Sequence, residues 1–172
     1  GTVSQLMGTA SGLHPQFAPY YIRRVRVAAT DPLAEFLRGA GVPHAPENGQ
    51  TADNASTWVF AFPQAAPETA VCRDEVTAVQ QLEYWLMLQQ CWCEHKPSAT
   101  IYVKDQEWAE VGAWVYKHWD WVSGISFLPY DNGVYPLAPY EEISESRYHA
   151  LVADMPEIDF SALAAFEAGD QT

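Results

Sequence analysis

Basic residues are scarce in this chain: nine Lys and Arg stand against 22 Asp and Glu, a formal charge of −13. So acidic a protein repels phosphate and anionic headgroups. That excludes a general DNA or RNA binder and a binder of anionic membranes. Three of the bases are Arg23, Arg24 and Arg26, so any polyanion site is expected to be local. Cysteine is sparse as well. Cys72, Cys91 and Cys93 are odd in number and do not make the framework of a disulfide-stapled secreted domain. No run approaches the roughly 18 apolar residues of a membrane helix, and no charged-then-apolar leader opens the chain. A reducing, cytoplasmic setting is the expectation. The chain opens on Gly1-Thr2-Val3-Ser4 without an initiator methionine, as expected of a processed or excised piece. It also lacks a P-loop, a dinucleotide fingerprint and any Ser-His-Asp order.

What is present is a chain of 172 residues, 48% of them apolar, with seven Trp, nine Tyr and seven Phe. That is one domain's length, with enough apolar surface for a real core. Thr2 to Met7 reads as one short helical turn, and residues 8–19, with Gly8, Gly12, Pro15 and Pro19, as a loop. Tyr20 to Ala28 has the β-branched and aromatic content of a strand. Asp31 is placed to cap a short helix with Pro32 at its first position and Gly39 and Gly41 beyond its end. Residues 42–55 read as a long loop, and Ser56 to Phe62 as a strand stopped by Pro63. Asp74 is read as the cap of the longest helix, along which Val76, Val79, Leu82, Trp85 and Leu86 form an apolar stripe ended by Lys96-Pro97.

Ser98 to Lys104 alternates as a strand. Asp105 then caps a helix whose Trp108, Val111, Val115 and Trp119 line one side. Gly124 to Leu128 is an apolar strand ended by Pro129, and Asp131-Asn132-Gly133 signals a turn. Residues 144–153 and 159–168 read as short helices. Strands alternating with helices predict an α/β arrangement with right-handed crossovers.

Four clusters invite a functional reading, each with a plainer one beside it. Gly1-Thr2-Val3-Ser4 before a helical turn offers backbone N–H groups and two hydroxyls to an anion, yet Thr and Ser cap helices commonly. The arginine strand offers either ligand contacts or ion pairs to Asp and Glu, and the ion-pair reading weighs more. Cys91-Trp92-Cys93-Glu94-His95 suggests a metal, but C-x-C is not common zinc spacing and no second ligand pair lies nearby, so no metal is expected. His14 in Ser11-Gly12-Leu13-His14-Pro15 is either a ligand contact or a loop histidine bonded to backbone. Trp108, Trp114, Trp119 and Trp121 resemble a base-stacking stripe, but at helical spacing they are read as core.

Several strings together are far more specific. Gly1-Thr2-Val3-Ser4-Gln5-Leu6, Ser11-Gly12-Leu13-His14-Pro15 and Pro19-Tyr20-Tyr21-Ile22-Arg23-Arg24-Val25-Arg26 resemble the C-terminal third of a ribonucleotide reductase. The match is to class II, the adenosylcobalamin-dependent enzymes, of the monomeric, triphosphate-reducing type. It continues through Trp92-Cys93-Glu94-His95, 108–116 (WAEVGAWVY), 124–129 (GISFLP) and Ala138-Pro139-Tyr140-Glu141-Glu142-Ile143, and is weakest over 42–73.

The resemblance implies the C-terminal half of a ten-stranded α/β barrel over residues 1–154, with a helical tail over 155–172. It implies that Gly1, Thr2, Val3 and Ser4 bind the phosphates of a ribonucleotide substrate, and that His14, Phe127 and Leu128 are candidates for the cobalamin pocket. The implied chemistry is reduction of the ribose 2′-carbon through a thiyl radical, for deoxyribonucleotide synthesis. The radical-bearing finger-loop cysteine lies upstream in the family and has no counterpart here, so no catalytic residue is expected in this chain. Class I enzymes carry a tyrosine pair on the last barrel strand; Ser126, Phe127 and Leu128 at that place supply no phenol, as befits a radical made by the cofactor. The implied partners are the ribonucleotide, the N-terminal portion of the reductase and a thioredoxin-like reductant. Two other readings stay open: a non-catalytic α/β module that binds a nucleotide or a protein, and one subunit of a split reductase.

Overall fold

The computed structural model describes residues 3–4, 7–130, 135–164 and 166. Asp131-Asn132-Gly133 therefore lies outside the described residues. In chain order the elements are β1 (Tyr20–Ala28), α1 (Pro32–Gly39), β2 (His44–Pro46), β3 (Thr57–Ala65), α2 (Ala78–Cys91), β4 (Ala99–Val103), α3 (Trp108–Lys117), β5 (Ile125–Pro129), β6 (Tyr140–Glu142) and α4 (Glu145–Asp154). Single 3₁₀ turns occupy Asp105–Glu107 and Phe160–Ala162. The chain divides into two compact units, residues 1–19 with 66–132 and residues 20–65 with 133–172.

In the unit of residues 20–65 and 133–172, one sheet runs in the order β2-β3-β1-β6. Every pairing in it is antiparallel. A crossover between β1 and β3 is therefore not what forms; the two strands lie side by side in opposite directions. Pro63 does not stop β3 but pairs with Ile22 inside it. The Ala61 N–H donates to the Pro43 carbonyl on the β2 side, so the ring nitrogen two residues on faces that same side. There β2 has already ended, and the missing N–H leaves no rung unmade. Val27, Ala34, Phe36, Leu37, Val42, Trp58 and Phe60 form this unit's core, and Met155, Ile158 and Leu163 pack against it.

The arginines of β1 are spent inside the same unit. Arg24 pairs with Glu141 and donates to the Ala138 carbonyl. Arg26 pairs with Glu47 and donates to the Leu137 carbonyl at 3.0 Å. Arg23 lies over the Tyr140 ring, 4.4 Å from its centroid. Together with Asn48, which donates to the Pro136 carbonyl, they hold the turn at Leu137, whose φ is +58°. The ion-pair reading of the arginine strand is the one the structure realises.

In the unit of residues 1–19 and 66–132, β4 and β5 pair in parallel, with α3 as their crossover. Parallel pairing needs such a crossover and both faces covered. Ala78, Leu82, Trp85 and Leu86 of α2, Ala99, Ile101 and Val103 of β4, and Val111 and Trp114 of α3 form its core. Helix α2 is capped by Thr77, not Asp74: Thr77 Oγ1 accepts from the Gln80 N–H and the Gln80 side chain accepts from the Thr77 N–H. This reciprocal box stops the helix from starting earlier. It ends at Cys91, five residues before Lys96.

Of the four tryptophans read as core, only Trp114 is buried. Trp119 is 69% exposed and Trp108 and Trp121 are also exposed. Helix α3 covers only 108–117, so Trp119 and Trp121 lie beyond its C-terminal end, and its buried face is that of Val111 and Trp114.

Candidate functional site

The opening turn, the loop after it and β5 all belong to the unit of residues 1–19 and 66–132. Gly1 and Thr2 lie outside the described residues. Val3 and Ser4 are helical. The Met7 N–H donates to the Val3 carbonyl at 3.1 Å, and the Thr9 N–H reaches back to the Ser4 carbonyl at 3.0 Å. That second bond, spanning five residues across Gly8 at φ +63°, closes the turn as a Schellman motif. A glycine is needed there because a side chain resists positive φ. Val3 is 71% exposed and Ser4 is half-buried.

Beyond the turn, Gly12 at φ +59° folds Ser11 to His14 back on itself. The His14 N–H donates to the Ser11 carbonyl. His14 Nδ1 lies 2.7 Å from the same oxygen, and Nε2 accepts from the Thr100 N–H at 3.0 Å. Because Nε2 accepts, the proton sits on Nδ1 and donates to Ser11. Both ring nitrogens are thus occupied, and His14 clips the loop to β4. This is the backbone-bonded reading of that histidine. Phe127 is half-buried against the core, and Leu128 is exposed.

Backbone rungs then join this loop to residues 66–73. Gln16 N–H donates to Val71 O at 2.8 Å, Arg73 N–H to Gln16 O at 2.9 Å and Ala66 N–H to Pro19 O at 2.8 Å. Between the two segments and the start of α2 lies a cavity of about 510 Å³, to which His14 and Gln81 contribute. The sequence reading missed it, since most of its wall comes from loops without periodicity that fold against the start of α2. Next to it the Arg73 guanidinium is buried against the Phe17 ring, 3.7 Å from the centroid, with Tyr130 and Tyr102 at 4.8 and 5.4 Å. Aromatic faces stabilise a cation that water no longer reaches.

Cys91 is exposed and Cys93 half-buried just past the end of α2. The group that does converge among the described residues is Cys72, Asp74 and Glu75, with ligand atoms within 4.8 Å of one another. Glu75 accepts there from the Cys72 N–H at 2.7 Å, so it serves the turn before α2.

No family model matches the chain. A protein of Dictyostelium discoideum named "Probable adenosylcobalamin-dependent ribonucleoside-triphosphate reductase" is 30% identical over 169 residues, 95% of this chain and 22% of its own length. The adenosylcobalamin-dependent ribonucleoside-triphosphate reductase of Euglena gracilis is 31% identical over 159 residues, 91% of this chain and 21% of its own length. The chain is related to a segment of these reductases. It spans about a fifth of the length of the curated relatives it matches. A crystal structure of a B12-dependent, class II ribonucleotide reductase superposes with a TM-score of 0.76 at 24% identity, over 98% of this chain and 23% of that one. The α/β fold is therefore that of a segment of a class II reductase. Within it, the parallel pair β4 and β5 is one βαβ unit, and the antiparallel sheet stands apart from that pattern.

Proposed function

We propose that this chain is the C-terminal, substrate-phosphate-binding segment of an adenosylcobalamin-dependent ribonucleotide reductase, working with an N-terminal portion that carries the radical cysteine. The observation that carries the reading is the likeness to the reductases over nearly the whole of this chain. The turn supports it chemically. Helix-start amides and the Ser4 hydroxyl offer donors to a polyanion that the protein's net charge would otherwise repel. Gly1, Thr2, Val3 and Ser4 are the phosphate-binding residues in this reading.

Adenosylcobalamin, when bound to the complete enzyme, supplies a cobalt–carbon bond whose homolysis starts the radical chemistry. This chain's own residues suit it as packing surface. Leu128 leaves an apolar side chain exposed near the end of β5 beside half-buried Phe127. His14, with both nitrogens bonded within the chain, supports the loop next to that surface and offers no lone pair to a metal. The reductant is a thioredoxin-like dithiol, and the setting cytoplasmic.

The reading is tested by mixing. The chain alone is expected to be inactive in ribonucleotide reduction, and addition of the N-terminal portion with adenosylcobalamin and a dithiol is expected to restore turnover. Nucleotide binding by the lone chain, with no turnover in any mixture, would instead identify a non-catalytic module. In the complete enzyme, Ser4→Ala is expected to lower kcat/KM by the loss of ~1.5–3 kcal/mol, the size of a hydrogen bond to a charged group. Unchanged kinetics would remove Ser4 from the phosphate site.

A further inference from the structure

The 510 Å³ cavity is of the size that small-molecule sites have, roughly 300–1,000 Å³. Although 18% of the chain is charged, no Asp, Glu, Lys or Arg lines it. Leu13, Pro15, Pro67, Val71 and Val76 make much of its wall, with the uncharged polar side chains of Thr9, Gln16 and Thr69 among them. Such a lining neither neutralises a phosphate nor pairs with a cation. It takes an uncharged, largely apolar ligand.

A buried polar group in this lining goes without a partner. Gln81 is only 7% exposed, and its Nε2 has no hydrogen-bond partner. A buried amide N–H left unmade costs free energy, so its retention at a cavity wall calls for a partner. The last torsion of a glutamine is broad, which lets the amide turn toward a ligand in the cavity. The neighbouring Gln80 has its own role, since its side chain closes the Thr77 box, and both nitrogens of His14 are engaged. Among the described residues, Gln81 thus carries a fully buried side-chain donor of this lining that the fold leaves unmet. The planar rings of His14 and the half-exposed Tyr84, with the apolar faces of Pro15 and Pro67, suit a planar guest.

We infer that this cavity is a binding site for an uncharged planar heterocycle whose ring acceptor takes a hydrogen bond from the Gln81 amide. The inference does not require the chain to act as a reductase. It is also separate from the phosphate site proposed at Ser4, because no cationic side chain lines the cavity to neutralise an anion.

Benzimidazole and indole test it, since they differ by one ring atom: benzimidazole carries an acceptor nitrogen where indole has a C–H. At a pH where both are neutral, benzimidazole at millimolar concentration is expected to saturate amide shifts in ¹H–¹⁵N spectra of the full chain at Leu13, Val71, Val76 and Gln81. Indole is expected to bind the same residues about tenfold more weakly, the worth of one hydrogen bond. Gln81→Met keeps the volume and removes the unmet donor, so it is expected to melt no lower than wild type and to bind both rings equally. Ala70→Phe, which fills the cavity, is expected to abolish both. Absence of saturable shifts, equal binding of the two rings by wild type, persistence of the preference in Gln81→Met, or benzimidazole binding by Ala70→Phe would each overturn the site.

Discussion

A buried carboxylate shows most directly how single residues hold this protein. Glu107 is 8% exposed, and its two oxygens accept from different backbone amides, Ala78 at 3.1 Å and Lys104 at 2.8 Å. One bond satisfies an orphan donor at the start of α2 and the other fixes the turn before α3. Glu107→Ala leaves the buried Ala78 amide and the half-buried Lys104 amide unmet, and is expected to cost about 3 kcal/mol in chemical denaturation. Glu107→Gln keeps one acceptor and is expected to cost roughly half as much. Equal stability of both variants with wild type would mean that water replaces the carboxylate.

Glu47 acts at the surface through charge. The Arg26 guanidinium, and after it the Asn48 amide, hold its carboxyl below its ordinary value. A depressed folded-state pKa means stability that is present above the ordinary glutamate range and lost as pH falls through the folded value. Asp159, lowered by its bonds to Ser161, adds in the same direction. Denaturation midpoints followed from neutral into acid are expected to fall less steeply in Glu47→Gln than in wild type. Parallel curves would show that the Arg26 pair contributes nothing to the acid limb.

At the scale of elements, what could be read from sequence depended on how local its cause was. Helix α1 was legible because its signals are contiguous: Asp31 accepts from the Leu33 N–H, Pro32 follows, and Gly41 beyond the end takes φ +81°. Strands β1, β4 and β5 were legible from composition, within a residue or two. The start of α2 was misread because Asp74 and Thr77 are both good caps, and only Thr77 has a glutamine three residues on to close the box. Thr77→Ala is expected to lower stability by about 1 kcal/mol, whereas Asp74→Ala is expected to leave it within about 0.5 kcal/mol. A larger loss from Asp74→Ala, read by thermal or urea denaturation, would restore it as the cap. Pairing was the least legible property. Alternating strands and helices suggest parallel crossovers, and β4-α3-β5 obeys. The long loop over 42–55 instead returns the chain antiparallel, with β2 inside it, and three residues of strand leave no periodic trace.

For the whole molecule, the candidate site was legible only in part. Short strings singled out Ser4 and His14, and the role of His14 as a clip on β4 emerges only when Thr100 is brought to it. The cavity beside it depends on three stretches distant in sequence and could not be read at all. What no string indicates is how much surface stays uncovered. Trp92 is 84% exposed, Tyr116 86% and Trp119 69%, and all three lie in the unit whose only described sheet is a parallel pair. Both strands of a two-stranded parallel sheet are edge strands, β4 being met at Thr100 by His14, and such edges and exposed aromatic side chains recruit other protein. Trp119→Lys with Tyr116→Lys should leave the core of Trp85, Ile101 and Trp114 untouched, so folding should survive. The unmodified chain is expected to self-associate with rising concentration in sedimentation velocity, and the double variant to do so less. In the presence of an N-terminal reductase portion, that self-association should give way to a one-to-one complex. A wild-type chain that sediments as a monodisperse monomer at high concentration, with or without such a partner, would show that these surfaces are simply solvated.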